Sequence, residues 1–448
     1  MSAEKKFQVG FGIGDITPDW PCNLQGYGNE RTRISTSIRT SILVCCVAIT
    51  DETGETALIM SMDAGGGGFE FYTRPLIEEK LGIPKDHIIY SALHQHSTPC
   101  GSWDYIHLVE RGALAAAEMA LADRAPATMY INKVQTKAMS FVRNYVCADG
   151  SFCGPNYGSF AAGVVGHESD ADPELRLIKF EREGKKPVIM VNFQAHPHMG
   201  AGSQDTMIHG DWPAILRMTV AQEMDAHCIY LSGAGGNLNS SSYIKEENIS
   251  ADWLEHAYRA FQYVKGAEDS YQKAEAGKLK FETLTKACEN NHSQDHLIEI
   301  ARKIHEIRQE DLDAARAEVR KHDAIHSIFH ASAIVNQAAE GPTRDLTISA
   351  ISFGDVVFTS HPYEMYDTNG AELRNGTVGN PNYEPHEQLE NPYAMTFVCT
   401  LGNGHLGYIP SRLGYTNGGY SVDIAYLAPG AGERLVGEYL KILHRLHD

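Results

Sequence analysis

"IIYSALHQHSTPCGSWDY", residues 88–105, decides how the rest of the chain is read. Ile88–Ala92 is short, apolar and β-branched, the composition of a buried strand. The chain then throws out His94 and His96, with Cys100, Trp103 and Asp104 close behind. From Tyr105 to Arg124 the spacing is helical and one face is rich in alanine. Strand, polar loop and helix make the repeating unit of an α/β fold, where ligands bind beyond the carboxyl ends of the strands.

The unit recurs. Strands are expected over 41–49, 57–61, 188–193, 228–231, 346–353, 356–359 and 396–400. Chemistry-bearing residues follow most of them: Asp63 in "MDAGGGG", His196 and His198 in "QAHPHMG", the loop "SGAGGNLNSSS", His361 and Glu364 in "SHPYEMY", and His405 and Tyr408 in "LGNGHLGYIP". Asp211 reads as a helix N-cap with Trp212 and Pro213 in the first turn, and 430–446 as an amphipathic helix. The expected fold is one α/β domain over residues 1–448, with its strands in two packed or mixed β-sheets flanked by helices. Residues 246–326 are charged, helix-periodic and nearly without strand signals. They are expected to form a helical insertion with apolar stripes at Leu297, Ile300, Ile304, Ile307, Leu312 and Ala315. Those stripes need burial against the body, against each other, or against a second copy in a homo-oligomer.

Composition narrows the function. Of 448 residues 43% are hydrophobic, enough for a sizeable core, and the formal net charge is −19. That balance argues against nucleic acid or an anionic membrane as partner and leaves a small-molecule substrate. No apolar run approaches the ~20 residues of a spanning helix, and no signal peptide is read at the N-terminus. Nine cysteines without a CxxC pair fit reduced thiols and a cytoplasmic location. Two imidazoles with a carboxylate suit zinc, and no HExxH helix is present. The glycine runs lack the lysine of a phosphate loop and read as tight turns. Cys100 reads as a bystander thiol.

With these motifs laid out, the chain resembles the catalytic domain of neutral, non-lysosomal ceramidases and their bacterial relatives. "GIGDITP" and "LQGYG" are similar to the family's opening, and "HQHSTPCG" to its HTHSGPGG. "NFQAHPHM" resembles FAxHPT, "HGDWP" resembles SGDxxG, "GAGGNLNS" resembles GDVSP and "HPYE" resembles PGE. "GYIPSRLGYTNGGY" is similar to a stretch with two functional tyrosines, here Tyr408 and Tyr420, and "YLAPGAGERL" to the family's closing helix entry.

The resemblance implies one zinc held by His94, His196, Glu364 and Tyr408. It implies that His96 and Tyr420 face the substrate, so that the two neighbouring histidines diverge. Asn239 stands where the family has a functional serine, Cys100 where it has glycine and His198 where it has threonine. No counterpart of the family's immunoglobulin-like C-terminal domain is expected here. The expected activity is zinc-dependent hydrolysis of an amide or related bond in a small soluble molecule, with long-chain ceramide disfavoured. A zinc-dependent lyase, an ester or glycoside hydrolase, and a non-catalytic ligand-binding homologue are the alternatives. His198, Asp63 and Asp211 are candidates for the general acid/base, and Asn239 for a substrate contact.

Overall fold

In the computed structural model, which describes residues 6–66, 68–244 and 249–448, the first strand already sets the layers. Strand β1 (Gln8–Asp15) turns Val9 and Phe11 to one side and Gly10, Gly12 and Gly14 to the other. A Cβ at those glycines would lie 1.9, 2.1 and 1.9 Å from Ala120 O, Ala116 O and Gly112 O. The glycines are there because the backbone of a helix lies directly on the strand. β2 (Leu43–Thr50) runs antiparallel to β1 and is buried on both faces. Cys45, Val47 and Ile49 enter one core, and Val44, Cys46 and Ala48 another. A strand covered on both sides reads as a continuous apolar run, which "LVCCVAIT" is.

The main path of this sheet continues through β3 (Thr56–Met62), β4 (Ile88–Ala92), β5 (Ala125–Gln135), β6 (Glu174–Arg182), β7 (Lys185–Phe193) and β8 (His227–Ser232), in the order β8-β7-β6-β5-β1-β2-β3-β4, and a two-residue strand, Gln272–Lys273, also pairs with β5. The pairs β3–β4 and β7–β8 are parallel. The second sheet has the order β9 (Leu279–Glu289), β10 (Thr343–Phe353), β11 (Val356–Ser360), β12 (Met395–Cys399). Ile351, Phe353, Phe358 and Phe397 of this sheet share one core with Val9, Val47, Ile59 and Met190 of the first. The two sheets therefore pack face to face.

Helices cover the outer faces. α1 (Glu70–Leu81) and α2 (Trp103–Ala122) pack on the β1–β4 half of the first sheet through Ile77, Ala113, Ala116 and Ala120. α3 (Asp211–Glu223) and α4 (Trp253–Gly266) pack on the other half through Trp212, Leu216, Ala257 and Phe261. Leu373 of α8 (Asp367–Asn375) and Leu435 and Leu440 of the C-terminal helix (Ala431–His447) cover the second sheet. Among the described residues no helix is long and apolar enough to cross a membrane.

The expected insertion over 246–326 is corrected in its extent. Glu246, Glu247 and Asn248 lie outside the described residues. α4 belongs to the body, and β9 is an eleven-residue strand paired along its whole length with β10. Among the described residues β9 has one neighbour in its sheet, and Thr283, Thr285, Lys286, Ala287 and Glu289 along it are exposed. A charged edge strand carries no apolar run to betray it. The helices that stand apart are α5 (Ile298–Glu310), α6 (Leu312–Val319) and α7 (Ile328–Ala338). Their stripes bury against each other in a core of their own, including Ile304, Ala315, Ile328 and Ile334.

Candidate metal centre

The loops leaving β4, β7 and β11 meet at one end of the sheet pair. Ser91 Oγ on β4 donates to Thr400 O beyond β12 at 2.6 Å, and Asn192 Nδ2 on β7 donates to Val398 O on β12 at 3.0 Å. Both bonds tie one sheet to the other beside the site.

At His94 the backbone turns, with φ at 65° in the left-handed region. A non-glycine residue held there costs of order 1–3 kcal/mol and persists where its surroundings over-determine it. Here they do. Gln95 points into the core, where Nε2 donates to Asp63 Oδ1 at 2.9 Å and Gly210 O at 2.5 Å. The rings on either side of it both line a cavity of about 940 Å³. Their ring centroids are 5.2 Å apart at 88°, so the two neighbouring histidines enter one cavity in different orientations.

His94 Nδ1 lies 2.7 Å from Gly65 O, a carbonyl that fixes Nδ1 as a donor and directs Nε2 into the cavity. Nε2 lies 3.1 Å from Glu364 Oε2. His196, from the loop after β7, stacks on His94 at 4.6 Å and puts its Nε2 3.0 Å from His96 Nε2. Ligand nitrogens of His94, His96 and His196 all lie within 4.8 Å of one another. Glu364 pairs with Tyr408 in a two-residue parallel ladder, which brings that tyrosine to the same wall. Burial, reinforced by neighbouring histidines, holds His96 and His196 well below the ordinary imidazole range. Burial opposes ionisation of Glu364, but His94 beside it wins and draws the carboxyl down.

The other expected residues divide. Tyr420, His198 and Asn239 line the cavity. The His198 ring lies 4.1 Å from that of His196, and Tyr420 lies 6.1 Å from Tyr408. Ser240, next to Asn239, is fully buried with its hydroxyl donating to His196 O at 2.7 Å, so it braces the loop and does not face the cavity.

Asp63 and Asp211 are corrected as acid/base candidates, because neither lines the cavity. Asp63 is completely buried in an ion pair with Arg217. Asp211 is not the expected N-cap, which is Gly210. Its Oδ2 instead accepts from Gly200 N at 2.7 Å and its Oδ1 from Trp212 N at 2.8 Å, fastening the His196–Gly200 loop to the start of α3. Cys100 stays outside the cavity lining, and burial pushes its thiol up to about 12.

Sequence reasoning missed Arg143. Its guanidinium lies 5.3 Å from the Tyr408 ring and 5.4 Å from the Tyr420 ring, and Nη2 donates to Gly236 O at 2.9 Å and Ser421 Oγ at 2.7 Å. A lone arginine in the apolar, aromatic run "FVRNY" was the available signal.

No family profile matches the chain, and no curated protein sequence matches it significantly. Solved structures do. Neutral ceramidase from Pseudomonas aeruginosa superposes with a TM-score of 0.73 at 13% identity, covering 98% of this chain and 75% of that one. A ceramidase complexed with C2 superposes with a TM-score of 0.71 at 12% identity, covering 98% and 76%. At such identities the likeness speaks for backbone architecture alone, and over nearly its whole length this chain has the fold of the neutral ceramidases.

Proposed function

We propose that this chain is a zinc-dependent hydrolase of an amide or related carbonyl bond in a small, soluble substrate. The observation that carries the reading is a set of buried ligand atoms on one cavity wall, His94 Nε2 3.1 Å from Glu364 Oε2, with a ring nitrogen of His196 within 4.8 Å of one of His94. The 3.1 Å separation is near the edge of about 3.3 Å in a tetrahedron with zinc bonds of ~2.0–2.1 Å. Burial keeps His196 neutral and able to donate a lone pair. The Gly65 carbonyl orients His94 as an outer partner orients a metal ligand. The residues therefore fit a divalent cation, with His94, His196, Glu364 and Tyr408 as its holders. When bound, zinc would supply Lewis acidity, polarising a carbonyl and making water nucleophilic near neutral pH.

The side chains around it do the rest. His96 and the Tyr420 hydroxyl donate to the oxygen on which charge develops, which typically contributes about 3–4 kcal/mol per donor. Arg143 adds positive potential at the Tyr408 and Tyr420 end. Asn239, in the serine's place, offers its amide to the substrate. His198 turns Nδ1 to His196 O at 3.4 Å, leaving Nε2 to carry a proton to the leaving amine. Serines and asparagines line the cavity beside the histidines and tyrosines, and they are what supports a soluble substrate.

The test pairs metal analysis with release of primary amine from a panel of N-acyl compounds. About one zinc per chain and amine release, both lost in His196→Ala, are expected. Full zinc in His196→Ala, or stoichiometric metal without amine release from any amide, would sink the reading.

A further inference from the structure

Helix α7 turns one face to the cavity, with Phe329, Ser332, Ala333 and Asn336 along it. Just ahead of that helix His326 lines the same cavity. Its Nδ1 lies 2.7 Å from Oδ2 of the buried Asp423, which ends the short helix Tyr420–Asp423 begun by Tyr420. No described residue bonds to its Nε2. The ring is held from several sides. Tyr157 packs edge-on against it at 4.8 Å, and the His326 amide donates to His330 Nδ1 at 3.2 Å. His330 Nε2 in turn lies 2.9 Å from Gln294 Oε1.

His326, His330 and Asp423 have the composition of a metal site. Their lone pairs are nevertheless spent. Both nitrogens of His330 are engaged, and His326 Nδ1 shares a proton with Asp423. What remains is an oriented imidazole with one free nitrogen at a cavity wall. Leaving such a nitrogen unpaired when a ligand displaces water is costly, so the ligand must supply a partner. Asp423 offsets the charge of the protonated ring, which removes most of its attraction for an anion. A hydroxyl, both donor and acceptor, pairs with Nε2 in either protonation state. The neighbouring wall suits the same chemistry. Asn336 Nδ2 is fixed by Tyr426 at 3.2 Å, and Phe329 packs on Tyr420 at 6.0 Å. Aromatic faces with a few fixed polar groups orient a ligand by its hydroxyls.

The geometry points to His326 as a substrate-binding residue, positioned by Asp423, that takes a hydroxyl of a polyhydroxylated N-acyl amine. The N-acyl part rests on the amide-hydrolase reading above, and the hydroxyl part on the cavity wall alone. Binding is measured calorimetrically with N-acetylglucosamine as the hydroxylated probe and N-butylacetamide as the aliphatic control. His326→Ala should weaken the first about tenfold, the equivalent of one hydrogen bond of about 1.4 kcal/mol, and the second less than twofold. Asp423→Asn should weaken the first as well and shift the His326 imidazole resonance, identified by its absence from His326→Ala, to a lower titration midpoint. A merely structural Asp423 would leave that midpoint unchanged.

No measurable N-acetylglucosamine binding, or equal weakening of both probes, overturns the inference. So does the loss of one equivalent of bound metal in His326→Ala. The two readings fail separately. Amide cleavage indifferent to hydroxyls and to His326→Ala sinks this inference and leaves the hydrolase standing. Binding of the hydroxylated probe that depends on His326, with no amide cleaved, does the reverse.

Discussion

Removing Arg217 should destabilise the protein and loosen the candidate metal centre without touching it. Asp63 is completely buried, and its two oxygens accept four bonds: Arg217 Nη1 at 3.0 Å and Gln95 Nε2 at 2.9 Å on Oδ1, Arg217 Nη2 and Leu43 N (2.9 Å) on Oδ2. Arg217→Met leaves the carboxylate with two neutral donors and no counter-charge. Breaking one side of a buried pair costs about 3–5 kcal/mol. Against a total of about 5–15 kcal/mol that is a large share. Asp63→Leu should cost a similar amount by stranding the guanidinium. The double variant buries no charge. Gln95 Nε2 keeps Gly210 O, and the main loss is the Leu43 amide bond, worth about 1–3 kcal/mol when left unpaired. It should therefore be more stable than either single variant, a coupling of several kcal/mol. Urea midpoints at unchanged slope measure this. Because Gln95 sits between His94 and His96, zinc retention should fall in both single variants and partly recover in the double. A cost below about 1 kcal/mol for Arg217→Met, or simple additivity, would refute the anchoring role.

Three further outcomes are expected. His96→Ala should keep zinc yet lose about 10²-fold in kcat, as for removal of an oxyanion donor; loss of zinc would make His96 a ligand. Gly12→Val should cost about 3 kcal/mol or more, measured by denaturation, because even a Cβ there lies 2.1 Å from Ala116 O. Burial raises Glu70 to about 7 from its ordinary 4.5, so the folded state binds the extra proton. The stability this contributes is complete below pH 4.5 and lost as pH rises through about 7. That amounts to about 3 kcal/mol at most, and Glu70→Gln should flatten the fall when unfolding is followed from pH 4 to 8.

Much of the architecture was legible because its determinants are local. Ile88–Ala92 is a strand with the bounds its composition suggests, and the strands of both sheets that carry His94, His196 and Glu364 announced themselves by apolar runs. β1 escaped notice because alternating glycines hide its pattern, and β9 because an edge strand needs only one apolar face. The polar residues past each strand end marked a cleft by the same local logic. Their roles were not local. Asp63 looked like an acid/base until Arg217, 154 residues away, was seen to occupy it. Arg143 gained a place beside Tyr408 and Tyr420 only through the meeting of distant loops. Asp423 orients His326 across 97 residues. Alternation and spacing report which face of an element is buried, since that depends on neighbours within a few residues. Which side chains share a cavity, and which nitrogen is left free, depends on how separate elements pack, and only the tertiary structure decided that.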